Sequence, residues 1–237
     1  MRVGSLFSGV DGMALGLEWA GHDISWHSEI NPYASSVLTR HWPTVPNLGD
    51  ITKIDWSAVE PVDIICGGYP CPAFSTAARG RNTAPNLWPW MRLAVAAIKP
   101  TFVIIENVAA HVNREFDRTL ADLAELGFDA EWEVITACAF GAPHPRRRLF
   151  CVAYPHGYGE SVRPFHAEAS FLPTPSSDCR DGWKASADDV GADHGVPHRM
   201  DRLRALGNAV VPQITQWIGG NLPLHPPTGQ ALSSVLG

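Results

Sequence analysis

The stretch GGYPCPAFS, residues 67–75, sets Cys71 between two prolines directly after the apolar run VDIIC. A lone cysteine is more often a small hydrophobe than a reagent, and it becomes a nucleophile only as its thiolate. Position argues for chemistry here, because Cys71 follows a strand-length run and strand ends form the ligand-binding edge of a parallel sheet. Two further sets of residues share that character. Glu106 ends FVIIENV, a run of core composition where a carboxylate is costly to bury without a partner. FGAPHPRRRLF brings Arg146 and Arg148 to alternate positions at the start of another strand, so both point to one face and Arg147 to the other. Cationic neighbours of this kind could favour the thiolate of Cys71, whose free pKa is about 8.5.

A binding loop precedes these groups. LFSGVDGMALGLEWAG places Gly9 and Gly12 between a strand and a helix, where small residues let the backbone approach a ligand and the helix N-terminus favours its negative group. The next strand ends at Glu29, 20 residues beyond Gly9, where a carboxylate can accept both ribose hydroxyls of a nucleoside. Asp50, in LGDI, follows near a third strand end. A glycine turn with two successive strand-end carboxylates suits an adenosine-containing ligand, without choosing between NAD and S-adenosylmethionine.

The elements that must position these residues are legible as apolar runs separated by helical patterns: RVGSLF, DISWHS, VDIICGG, FVIIENV, WEVITACAF and RRLFCVAY. Such alternation predicts an α/β fold of βαβ units, a mostly parallel sheet with helices on both faces. The pattern stops near Pro155. Residues 155 to about 200 are rich in Pro, Ser, Asp, Gly and His and read as a small irregular region. A helical pattern returns with MDRLRAL, and after VVPQITQWI the remaining tail reads as a loose terminus.

With 237 residues and 45% hydrophobic content, the chain can bury a full core. No apolar stretch approaches the roughly 20 residues of a membrane span and no leader is evident, so an intracellular protein is expected. The five cysteines include no C-x-x-C pair, and Cys66, Cys138 and Cys151 sit in apolar runs, so neither a disulfide framework nor a zinc site is expected. The net charge of -6 is unevenly spread. Seven acids lie within residues 114–133, where Leu120, Leu123, Ala124 and Leu126 suggest an amphipathic helix with a solvated face. Arg79, Arg81 and Arg92, the arginines 146–148, and Arg199, Arg202 and Arg204 could line one basic face.

The final motif is RLRALGNAVVPQ, with Gly207 and Asn208 directly after a helical pattern. Taken together, and in this order, the segments resemble the C5-cytosine DNA methyltransferase family over about residues 1–154 and 198–218. The resemblance implies a Rossmann-like, S-adenosylmethionine-dependent catalytic domain at 1–154 and 199–218, a short target-recognition region at 155–198 and a tail at 219–237. Phe7, Ser8, Gly9, Asp11 and Gly12 then look like the cofactor loop, Glu29 with Ile30 the ribose site, and Asp50 with Ile51 the adenine site. Gly68, Pro70 and Cys71 match the nucleophile motif, Glu106 and Asn107 the ENV motif, and Arg146 and Arg148 the paired arginines. Gly207, Asn208 and Ala209 match the closing motif, of which Asn208 and Ala209 would touch the cofactor. Two departures stand out: His144 occupies a place where many members have glutamine, and the recognition region is much shorter than usual.

The chemistry implied is attack of the Cys71 thiolate on cytosine C6, which makes C5 nucleophilic. Glu106 would bind N3 and the exocyclic amine, and Arg148 the base O2. The sulfonium methyl of S-adenosylmethionine passes to C5, S-adenosylhomocysteine is left, and loss of the C5 proton expels Cys71; no metal is needed. The base must be flipped from the duplex at roughly a few kcal/mol. Residues 76–86 fit a loop that closes over it, with Arg79, Arg81 and Arg202 on double-stranded DNA. Residues 160–193 hold seven acids against Arg163, Arg180 and Lys184, so a short or degenerate target is expected. A monomeric cytoplasmic protein, encoded by a bacterium or phage and not membrane-bound, is expected; a companion restriction endonuclease is left open. A tRNA cytosine-5 methyltransferase or a non-catalytic DNA-binding subunit would share the resemblance. An NAD-dependent oxidoreductase leaves Cys71, Glu106 and the arginine pair without joint purpose, and a zinc deaminase lacks its second cysteine, since position 74 is Phe.

Overall fold

Alternate apolar side chains of each central strand enter two different cores. Val3, Ile64, Cys66, Phe102, Ile104, Phe150 and Val152 face one side of the sheet, and Leu6, Ile65, Val103, Ile105, Leu149 and Cys151 the other. A strand that is apolar on both faces belongs inside a sheet covered by helices on both sides. The computed structural model, which describes residues 1–70, 85–142, 144–158, 165, 200–201 and 207–223, has that architecture.

Six strands, β1 (Arg2–Leu6), β2 (Asp23–Ser28), β3 (Ile64–Gly67), β4 (Phe102–Val108), β5 (Phe128–Thr136) and β6 (Arg147–Pro155), form one sheet in the order β2-β1-β3-β4-β6-β5. The pairs β1–β2, β1–β3 and β3–β4 are parallel. β6 runs antiparallel to both β4 and β5. The expectation of a mostly parallel sheet is met, and the runs DISWHS and FVIIENV coincide with β2 and β4. Hydrophobic periodicity carries no direction, so the reversal of β6 is a property only the structure shows.

Helices α1 (Gly12–Trp19) and α5 (Pro212–Gly220) cover the first core through Met13, Leu17, Ile214 and Ile218. Helices α3 (Trp88–Ile98) and α4 (Phe116–Glu125) cover the second through Met91, Ala94, Val95, Phe116 and Leu123. α2 (Pro32–His41) begins at Asn31, whose side chain accepts from the N–H groups of Tyr33 and Ala34 at 3.0 Å, and it buries Leu38 against Ala14 and Trp42. The acid-rich segment is α4 continuing into β5, with Phe116, Thr119 and Leu123 buried at helical spacing. Arg92 departs from the expected basic face: it pairs with Asp122 at 3.5 Å and Glu125 at 2.9 Å, because α3 and α4 pack side by side on one face.

Glycines set the close approaches. A Cβ on Gly4 would lie 2.1 Å from Cζ2 of Trp26, so the indole crosses β1 only where no side chain stands. A Cβ on Gly16 would lie 2.1 Å from both the Pro212 oxygen and Thr215 Oγ1, and one on Gly12 would lie 2.2 Å from the Val210 oxygen. α1 and α5 therefore meet along a seam of missing side chains. The start of the expected loose terminus is packed: Gly219 lies against Leu17 and Ala20, and Leu222 is buried in the first core, while residues 224–237 lie outside the described residues. Cys66 and Cys151 are buried free thiols. Cys138 is buried too, as its apolar run predicted.

Candidate active site

The turn between β1 and α1 alternates left-handed residues, with φ of 54° at Phe7, 59° at Gly9 and 57° at Asp11. Asp11 caps α1 by accepting from the Ala14 N–H at 2.9 Å. Gly9 donates its N–H to Glu29 Oε2 at 2.7 Å, and Asn31 donates its own to Glu29 Oε1 at 2.6 Å. Each oxygen of Glu29 is thus fixed by one main-chain bond and retains a lone pair for a further donor. Asn47 holds the Glu29 main chain on both sides, accepting its N–H and donating to its carbonyl, each at 3.0 Å.

Asp50 differs from expectation in its setting. The segment before it pairs with β2 only through the isolated bridge His27–Asn47, so no third strand end carries it. A single bridge is too short to leave a periodic pattern in sequence. Asp50 instead caps the 3₁₀ turn Ile51–Lys53, accepting from the Thr52 N–H at 3.0 Å and Thr52 Oγ1 at 2.8 Å. Those two bonds hold its carboxyl below the usual carboxylate range.

At the neighbouring strand ends, Glu106 Oε1 accepts from Arg148 Nε at 2.9 Å. Register explains the meeting: Glu106 opposes Phe150 and Val108 opposes Arg148, which puts Glu106 and Arg148 diagonally on one face. Burial pushes the Glu106 carboxyl up, against the pull of Arg148 and Arg146. Burial and the like charge of Arg148 lower Arg146 to about 10, and its guanidinium donates to the Gly207 carbonyl. Burial also lowers His144, with Arg146 adding to the effect. A Cβ on Gly68 would lie 2.7 Å from Glu106 Oε2, so a side chain there would displace the carboxylate.

Buried Asn107 donates from Nδ2 to the Tyr69 carbonyl at 3.3 Å, and the Tyr69 hydroxyl lies 2.7 Å from His111 Nε2 and 2.9 Å from Thr119 Oγ1. The residue preceding Pro70 is thereby held at both ends. Cys71, Arg79, Arg81 and Arg202 lie outside the described residues, as do Arg199 and Arg204 and the seven acids of residues 160–193.

One cavity of about 460 Å³ joins the two groups. Phe7, Ser8, Gly9, Asp11 and Gly12 line it beside Glu29, Ile30, Asp50 and Ile51. Gly68, Pro70, Glu106, Arg146 and Arg148 line it as well, with Asn208 and Ala209 closing it from the C-terminal segment. Ile30 is 68% exposed, an apolar surface beside the Glu29 carboxylate. Such a cavity can hold a ligand whose polyhydroxyl part meets Glu29 and whose other end meets a carboxyl and a guanidinium in fixed relation. Tyr33 and Asn31 also line it and were not anticipated, nor was the support from Asn47. For Asn31 a signal existed, since Asn-Pro before a helical pattern marks an N-cap.

A family model described as C-5 cytosine-specific DNA methylase matches residues 1–191. The Type II methyltransferase M.NgoBV of Neisseria gonorrhoeae is 34% identical over 165 residues, covering 61% of this chain and 39% of its own length. M.NgoBI, a Type II methyltransferase of the same organism, is 29% identical over 235 residues, 93% of this chain and 70% of its own. The chain thus spans about two fifths of the length of M.NgoBV. Among solved structures, Dnmt2 methyltransferase of S. pombe superposes with a TM-score of 0.56 at 16% identity over 94% of each chain, a likeness of fold.

Proposed function

Since the chain belongs to the C-5 cytosine-specific DNA methylase family, we propose that it methylates cytosine at C5 in duplex DNA, with S-adenosylmethionine as the methyl donor. The observation that carries this reading is the Glu106–Arg148 pair, 2.9 Å apart, on the wall of the cavity that Glu29 and Asp50 also line. An acid with raised proton affinity beside a fixed cation matches the N3 and O2 edge of cytosine.

The residues present fit the cofactor. A Cβ at Gly9 would meet nothing within 4 Å, so the turn presents open backbone. Glu29 keeps a lone pair on each oxygen for vicinal hydroxyls, and Ile30 offers apolar surface for a flat ring. The cavity falls within the roughly 300–1,000 Å³ of small-molecule sites. When bound, S-adenosylmethionine supplies an electrophilic methyl group. Glu106 would hold N3 and the exocyclic amine, sharing its proton with N3 as negative charge develops there, and Arg148 would hold O2. Cys71, placed in this role by the family motif, would add to C6 and leave when the C5 proton is lost.

Arg79, Arg81 and Arg202 are the proposed phosphate contacts, and a short recognition region implies a short or degenerate site. No helix among the described residues is long and apolar enough to cross a membrane; we take the protein to act as a cytoplasmic monomer on bacterial or phage DNA. The test is methyl transfer to duplex DNA against tRNA, with duplex DNA containing 5-fluorocytosine as a trap. The wild type should form a covalent complex with the trap and Cys71→Ala should not. Preference for tRNA would reassign the substrate, and turnover by Cys71→Ala would remove the nucleophile.

A further inference from the structure

Asp11 occupies a left-handed conformation, φ 57° and ψ 52°, that glycine adopts freely and an L-residue adopts only with compensation. The compensation is visible in its carboxylate. Oδ1 accepts from the Ala14 N–H at 2.9 Å, and Oδ2 lies 2.9 Å from His27 Nδ1. The two side chains are 1% and 0% exposed. A carboxylate only accepts, so Nδ1 carries the hydrogen. His27 Nε2 is buried without a hydrogen-bond partner among the described residues, which leaves Asp11 as the polar contact of the ring. Through its main chain His27 also ties down a second segment: its N–H donates to the Pro46 carbonyl at 2.9 Å, and its carbonyl accepts from the Leu48 N–H at 2.7 Å.

We propose that His27 is a positioning residue of the nucleoside site, joining by its imidazole the turn Phe7–Gly12 and by its main chain the segment that carries Asp50. The two walls of the cavity are then set by one buried residue that never touches the ligand. The turn cannot drift from Glu29 while Asp11 is held, because Asp11 also donates its N–H to the Ser8 carbonyl at 2.8 Å and Ser8 donates its own to the Ser28 carbonyl at 3.3 Å. This inference rests on the functional reading above, in which that cavity takes S-adenosylmethionine.

The test uses the full chain, with S-adenosylhomocysteine as the calorimetric probe and a melting curve for every variant. His27→Phe keeps a ring and removes the donor. Its affinity for the probe should fall by about tenfold, the consequence of one buried hydrogen bond left unmade. The KM for S-adenosylmethionine should rise in step, with kcat changed by less than about threefold. His27→Asn, whose amide nitrogen can take the place of Nδ1, should recover most of the affinity. In an Asp11→Gly background, His27→Phe should weaken binding little further, since its partner is already gone. A folded His27→Phe that binds like the wild type overturns the proposal, and so does a loss that His27→Asn fails to rescue. Should His27→Phe not fold, His27→Asn and Asp11→Gly decide, each with its fold checked by its melting curve: the proposal requires Asp11→Gly to bind more weakly than His27→Asn. A wild type that does not bind the probe would instead overturn the functional reading itself.

Discussion

Glu106 accepts from Arg148 at 2.9 Å because β6 runs against β4, which returns the start of one strand to the end of the other. In an all-parallel sheet the arginines at the head of β6 would stand at the opposite edge from the carboxylate. The single reversed strand is what assembles an acid and a cation beside the cavity.

Glu106→Gln keeps the shape and removes the charge. Methyl transfer should fall by about 10²- to 10⁴-fold, the contribution of a positioned acid or base, while calorimetry with S-adenosylhomocysteine should show cofactor-product binding retained. The carboxyl also fixes a sign in pH. Burial raises its pKa in the folded state, so its stabilising contribution is full below the ordinary glutamate range and is lost as pH rises through the raised value. The melting temperature of the wild type minus that of Glu106→Gln should therefore decline with rising pH across that window. A difference that grows would contradict the burial.

Gly68→Ala tests the contact from the other side. Its Cβ would stand 2.7 Å from Glu106 Oε2, and relieving that overlap should cost about 1–3 kcal/mol in denaturant melts. Adding Glu106→Asp shortens the acid and should restore stability without restoring transfer. Additive losses in the double variant would mean that the two residues do not meet.

Glu29→Ala removes the acceptor for two main-chain N–H groups, Gly9 and Asn31. Affinity for S-adenosylhomocysteine should drop by about 1–3 kcal/mol, the range for a buried partner lost. An unchanged dissociation constant by calorimetry would place the ribose elsewhere.

Gly16→Ala inserts a methyl where the Pro212 oxygen and Thr215 Oγ1 stand 2.1 Å away. Backbone cannot yield as a side-chain tip does, so α5 must shift. We expect destabilisation at or above about 3 kcal/mol in denaturant melts, with weaker cofactor binding, since Asn208 and Ala209 just before α5 line the cavity. Wild-type stability would show that α1 and α5 are not in contact.

The sequence was most informative where physics is local. DISWHS and FVIIENV match β2 and β4 because a strand buried on both faces leaves an unbroken apolar run. It was silent where the cause is non-local. Nothing in RRLFCVAY records that it would lie antiparallel, and Asn47 gives no local sign that it would brace Glu29. Asp11 and His27 were legible only in half: an acid in a glycine-like turn was visible, and its buried partner 16 positions on was not. Asp50 lines the cavity, but not from the strand end that placed it in the sequence, since a cap and a lone bridge stand where a strand was expected.

The seam between α1 and α5 also orders events during synthesis. Gly12 and Gly16 wait on partners some two hundred residues later, Val210, Pro212 and Thr215. The first core, with Met13 and Leu17 in it, stays open to water until Ile214 and Ile218 have left the ribosome. A contact of such long range forms late and slowly, so the nascent chain carries its binding turn early but lacks the wall formed by Asn208 and Ala209. The cavity of a ribosome-bound chain is thereby left without that wall until α5 docks.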